Sequence, residues 1–136
     1  MIRLLQRLNV VAIVKNKGKF LMLRRSIFNK LYQFHWQFPE GGVKFGESVE
    51  KALARELKEE TGLKLKSARL LGLKSSKETH FGQDLWHLIR IYCACKTEGK
   101  IKLSRAHDKY EWLSPKEIKK LKMPKSLNYN DFKAFL

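Results

Sequence analysis

Acidic side chains are scarce in this chain: 13 aspartates and glutamates stand against 29 lysines and arginines in 136 residues, a formal charge of +16. An excess that large exceeds what solubility requires and attracts polyanions in general, nucleotides and RNA ends among them. It steers without specifying, because the lysines are spread, notably over 64–77 and 116–125, with no arginine-glycine or interleaved aromatic motif. Cysteine is nearly absent. The pair Cys93 and Cys95 lies two apart in a strand-like run and shares one face, a spacing that rarely closes a disulfide. A disulfide scaffold is thereby excluded, and two buried thiols in a reducing cytoplasm are expected. No apolar run has the length of a membrane span, and Arg3, Gln6, Arg7 and Asn9 interrupt the segment from Met1 to Val14, which does not read as a signal peptide. The expectation is a cytoplasmic protein with no membrane partner, a monomer or homodimer. With three prolines and eight glycines there is neither a linker nor a repeat, and a single domain over 1–136 is expected.

The few acids present are concentrated. Between Gly41 and Leu63 the chain reads Gly-Gly-Val-Lys-Phe-Gly-Glu-Ser-Val-Glu-Lys-Ala-Leu-Ala-Arg-Glu-Leu-Lys-Glu-Glu-Thr-Gly-Leu. Ser48 is a good N-cap, Glu50 suits the positive end of a helix dipole, and Gly62 suits a left-handed C-terminal residue, so the pattern predicts a helix from about 49 to 61. Glu56, Glu59 and Glu60, spaced i, i+3, i+4, fall within one arc of roughly 100°. That arc overlaps the apolar stripe of Val49, Ala52, Leu53 and Leu57, while Glu50, Lys51, Arg55 and Lys58 mark the opposite, solvated face. Like charges crowded on an inward face repel one another and lose hydration, and oxygen-only donors of this kind suit Mg²⁺ or Mn²⁺ better than zinc.

The segment resembles the signature of the Nudix hydrolases: a glycine, a glutamate six residues on, then Arg-Glu-apolar-x-Glu-Glu-x-Gly-apolar. Gly41, Glu47, Arg55, Glu56, Leu57, Glu59, Glu60, Gly62 and Leu63 fill its fixed positions. The resemblance implies that Glu56, Glu59 and Glu60, with the Gly41 carbonyl, hold the metal. It implies a supporting role for Glu47 and Arg55 through ion pairs and hydrogen bonds. The reaction it implies is metal-assisted hydrolysis of a phosphoanhydride linked to another group.

Around the box the pattern is mostly strand. Leu8 to Val14 and Phe20 to Arg24 are joined through Asn16-Lys17-Gly18, a hairpin turn. Ala68 to Leu73, Asp84 to Lys96 and Tyr110 to Leu113 continue the strands, with a turn at Thr97-Glu98-Gly99. Pro115 opens a helix at Lys116 to Leu121, and Leu127 to Leu136 forms a last short one. This order predicts an α+β chain, an α/β/α sandwich with a central mixed sheet, which is also the fold the resemblance implies.

Outside the box, His35-Trp36-Gln37-Phe38-Pro39-Glu40 resembles the entry to the box in hydrolases of dinucleoside polyphosphates and in RNA 5′-pyrophosphohydrolases. The segment Ser104-Arg105-Ala106-His107-Asp108-Lys109-Tyr110-Glu111-Trp112 resembles a stretch of diadenosine tetraphosphate hydrolases reading Ser-x-Glu-His-x-x-Tyr-x-Trp. Ala106 stands where that pattern has glutamate, a residue the family often uses as an extra metal ligand or general base. Losing such a group costs about 10²- to 10⁴-fold in rate, so a catalytically weakened chain is expected. Candidate substrate contacts are His35 and Tyr110, by the same resemblance, Lys44 inside the box, and Arg24 or Arg25, of which strand alternation turns one towards the site. Trp36, Phe38, Trp86 and Trp112 are expected in the core. Two functions stay open: hydrolysis of a dinucleoside polyphosphate, ahead of an RNA 5′ end or a nucleoside triphosphate, and a low-turnover nucleotide- or RNA-binding module.

Overall fold

The computed structural model describes residues 3–80 and 84–136. Its frame is a mixed sheet. Strand β1 (Arg3–Asn16) pairs in parallel with β6 (Asp84–Glu98) from Arg3 beside Asp84 to Val14 beside Cys95. Strand β5 (Lys64–His80) runs antiparallel along the other side of β6. The hairpin to β2 (Lys19–Arg25) turns through Lys17 at φ 52° and Gly18 at φ 78°, the two positive values a type I′ turn requires. Two short strands not foreseen from sequence follow. β3 (Trp36–Gln37) pairs with β2, and β4 (Glu40–Gly42) pairs with β1. β7 (His107–Leu113) lies antiparallel to β2, with a bulge between Arg24 and Arg25 that sets His107 opposite Arg25.

Helix α1 (Val49–Thr61) begins and ends as its caps dictate. Ser48 Oγ accepts from the Lys51 N–H at 3.2 Å, and Gly62, at φ 72°, donates its N–H to the Lys58 carbonyl. Its buried face carries Ala52, Leu53 and Leu57, packed on Val10, Leu21, Leu23 and Ile91 of one side of the sheet. Full burial of each leucine contributes roughly 2–3 kcal/mol. The other side of the sheet is covered by α2 (Pro115–Lys119), opened by the capping box of Ser114 and Glu117, and by α3 (Tyr129–Phe132) with a following 3₁₀ turn. The result is the expected three-layer α/β/α sandwich. Cys93 and Cys95 are both buried, free thiols, and burial pushes Cys95 up to about 12, so neither thiol is poised to react. Val49, expected in the apolar stripe, is exposed instead, because it lies at the first turn beyond the edge of the packed face.

Candidate active site

Three elements converge beside the C-terminal half of α1: β4, the outer end of β2, and the start of β7. They wall a hollow of about 240 Å³ that includes Glu40, Gly41, Glu60, Arg25, Ala106 and His107. Arg7 and Arg90, from β1 and β6, complete the basic part of its lining.

Glycine at 41 is a steric requirement. A Cβ built there would fall inside the Glu56 carboxylate, so only glycine lets that carboxylate lie against the β4 backbone. A Cβ at Gly42 would press on the Arg7 guanidinium in the same way. Glu60, one turn further along α1, accepts the Glu40 backbone N–H at 3.0 Å. Burial, reinforced by the Glu56 charge, holds the Glu60 carboxyl well above the usual carboxylate range. Burial also raises Glu56, against the opposing pull of the Arg55 guanidinium.

Arg55 departs from its expected place on the solvated face. The side chain folds back along the helix and uses all five of its N–H donors. Nε and one terminal nitrogen clasp Glu47 at 2.8 and 2.9 Å. The remaining donors reach Glu56 at 2.7 Å, Glu59 at 3.3 Å and the Gly42 carbonyl at 2.8 Å. Helical phase fixes where a Cα points, but a long guanidinium stem redirects itself towards clustered acids. Glu47, clasped by Arg55 and by the Lys44 N–H, is held down to about 2. The loop between β4 and α1 is thus locked to the helix through one arginine.

Opposite the glutamates, a chain of polar contacts fixes a histidine tautomer. Arg25 donates to Gln37 Oε1 at 3.0 Å, which leaves the Gln37 amide nitrogen to donate to His107 Nε2 at 3.2 Å. Burial, then the Arg25 charge, lowers His107 to about 4. The ring is therefore neutral at pH 7 and carries its proton on Nδ1, 3.9 Å from Glu60 Oε2 and without a hydrogen-bond partner. Deeper in the wall, Arg90 bridges Glu40 Oε2 at 3.0 Å and the Ser126 carbonyl at 2.6 Å, and Asn9 donates to the same Glu40 oxygen.

The structure brings Gly41, Glu56, Glu60, Arg25 and the Ala106 position together, and leaves others apart. Arg24, on the far side of the bulge, pairs with Asp108 at 2.8 Å. His35 contacts the Gln33 carbonyl and the Tyr32 ring. The exposed Lys44 engages Glu47 through its backbone only. Tyr110 lines a separate hollow with Trp112 and Ile101, because its strand position points it away from Glu60. Trp86, expected in the core, lines the hollow instead. Arg7, Asn9 and Arg90 were not singled out from sequence, although Arg90, an arginine inside the aliphatic run Leu88-Ile89-Arg90-Ile91, breaks its strand pattern visibly.

Among the described residues no three acidic, histidine or cysteine side chains gather about one point. Glu59 is 56% exposed. The donors nonetheless fit a hard divalent cation: Glu56 and Glu60 are partly buried, mutually repelling carboxylates beside a glycine that has made room for them.

A NUDIX domain model matches residues 5–133. The chain belongs to the Nudix family. An RNA pyrophosphohydrolase of Hydrogenovibrio crunogenus is 46% identical to this Nudix chain over 88 residues, 63% of the chain and 48% of that protein. One from Vibrio cholerae is 33% identical over 129 residues, 79% of the chain and 70% of that protein. The chain thus spans about half the length of the first of these relatives. A crystal structure of a MutT protein from Methanosarcina mazei Go1 superposes with a TM-score of 0.80 at 28% identity, covering 96% of this chain and 92% of that one. A C. elegans Ap4A hydrolase shares the fold, at TM-score 0.69 and 21% identity over 96% of both chains.

Proposed function

We propose that this chain is a divalent-metal-dependent pyrophosphohydrolase acting on the polyphosphorylated 5′ end of RNA. The observation that carries the reading is a hollow in which the partly buried Glu60 carboxylate shares the lining with Arg7 and Arg25, while the Glu56 carboxylate lies against Gly41 at its edge. Glu56, Glu59, Glu60 and the Gly41 carbonyl would hold a cation such as Mg²⁺, which neutralises charge on phosphoryl oxygens and lowers the pKa of a water at phosphorus. Arg7 and Arg25 meet the polyphosphate, and Gln37 holds His107 with its Nδ1 proton towards Glu60. The curated relatives named as RNA pyrophosphohydrolases and the +16 charge support RNA as the substrate.

A dinucleoside polyphosphate is the second reading, favoured by Ser104, His107, Tyr110 and Trp112; the position of Tyr110 outside the hollow weighs against it. Hydrolysis of 5′-triphosphorylated RNA, diadenosine tetraphosphate and ATP with Mg²⁺ separates the two. The expected kcat/KM is highest for RNA, and a higher value for diadenosine tetraphosphate would reverse the assignment. RNA binding with a steep salt slope and no turnover of any substrate would make the chain a binding module.

A further inference from the structure

Between the end of β2 at Arg25 and the start of β3 at Trp36, the chain spends ten residues, 26–35, on one loop. Polar side chains hold its backbone in place. Ser26 donates its N–H to the Ala106 carbonyl at 2.9 Å, and its Oγ bonds the Arg105 carbonyl. Asn29 reaches the Ala106 carbonyl at 2.7 Å, and Gln33 caps the carbonyls of Ile27 and Asn29 at 3.0 and 2.9 Å. Three of its large apolar side chains turn outward: Ile27, Phe28 and Phe34 are 64%, 65% and 51% exposed. These bonds tie the loop to the start of β7 and to itself, and they present three large apolar side chains from one ten-residue stretch to solvent, the kind of grouping that marks a contact surface.

Two further observations bear on what that surface meets. Phe34 is held at φ 64° and Tyr32 at φ 53°, left-handed values that bulky residues avoid unless the surroundings impose them. Each exposed ring is also backed by an arginine, with the Arg105 guanidinium 4.3 Å from the Phe28 centroid and that of Arg24 5.6 Å from Phe34. Rings with cationic backing and an accessible flank are what single-stranded nucleic acid stacks upon, because every base offers a π face and every linkage a phosphate. The inner side of the same loop, through Asn29, Leu31 and Tyr32, lines the hollow beside Glu60. A mononucleotide in that hollow has no nucleotide left for the rings outside it, whereas an RNA chain continues past them.

We infer that loop 26–35 is a track for single-stranded RNA, on which Phe28 and Phe34 stack the bases that follow the 5′-terminal nucleotide while Arg105 and Lys30 meet the intervening phosphates. The inference rests on the RNA reading of the hollow and extends it to specificity for substrate length.

The test is a length series of 5′-triphosphorylated oligoribonucleotides of one, two, four and eight residues, hydrolysed with Mg²⁺ by the native chain and by Phe28→Ala/Phe34→Ala. For the native chain KM falls as length increases. In the variant that fall disappears, and KM for the octamer rises roughly tenfold or more, about one stacked base, with kcat unchanged. Phe28→Leu/Phe34→Leu, which keeps apolar bulk without the ring, gives the same loss and covers the case in which the alanine protein folds poorly. An unchanged length dependence in both variants overturns the inference while leaving RNA hydrolysis intact. Failure of the native chain to cleave any RNA, with ATP or diadenosine tetraphosphate still cleaved, overturns the functional reading first and the track with it. A concentration-dependent dimer of the native chain that the leucine variant abolishes, with length dependence retained, assigns the rings to a second copy of the chain instead.

Discussion

Gly41→Ala isolates the role of the close approach between β4 and α1. Gly41 pairs with Val10 as an ordinary strand residue outside the left-handed region, so the backbone accepts alanine without strain. The added Cβ would coincide with the Glu56 carboxylate. Restoring ordinary contact displaces that carboxylate by about an ångström. Because the obstacle is the tip of a flexible side chain, the stability cost is at the low end of overpacking, about 1 kcal/mol. The catalytic cost is larger. A metal ligand displaced by about 1 Å loses roughly 10²-fold in rate, or about 2.7 kcal/mol of transition-state stabilisation. The Mg²⁺ concentration for half-maximal activity rises as well. Thermal melting beside a Mg²⁺ titration of hydrolysis reads both effects. Native activity at the native Mg²⁺ midpoint would refute the placement of Glu56 as a ligand. A collapse of melting with no selective change in metal dependence would assign Gly41 to folding alone.

Ala106→Glu restores a carboxylate to the wall opposite Glu60 and should raise Mg²⁺-dependent turnover at least tenfold; an unchanged rate removes the idea that the chain is weakened there. Glu60→Gln should abolish turnover yet raise the melting temperature of the metal-free protein. Burial lifts the folded Glu60 carboxyl above its ordinary 4.5, so its ionisation opposes folding: the penalty is absent below that value, grows as pH rises and is full above the folded pKa. The native metal-free protein should therefore lose stability from about pH 4.5 upwards, and the glutamine variant should lose less. Arg90→Leu removes the ion-pair partner of the Glu40 side chain, which is 9% exposed, a change expected to cost about 3–5 kcal/mol in urea denaturation. Less than 1 kcal/mol would show that water reaches this wall.

Much of the helix and its chemistry was legible because it is local. Ser48, Gly62 and the i, i+3, i+4 spacing of Glu56, Glu59 and Glu60 are read within one element. The type I′ hairpin at Lys17 and Gly18 and the Ser114 capping box were equally accessible. The reach of Arg55 was not, since a flexible stem answers to the charges around it. Nor was the division of labour between Arg24 and Arg25, which a bulge in the pairing with β7 decides. Tyr110 shows the limit of motif spacing: its neighbours His107 and Ala106 enter the hollow, while it follows the strand pleat to another surface.

Sequence by itself determined the family, the acidic helix, the three-layer class and the basic field. Each of these depends on residue type at short spacing or on composition. The tertiary structure alone decided which side chains share the hollow, because Arg7, Arg25, Arg90 and His107 come from four different strands. It also decided that Gly41 and Glu56, fifteen positions apart, occupy neighbouring space, and that Phe28 and Phe34 stay outside the core. Such proximity follows from strand register and loop bonding over long separations, which no local pattern encodes.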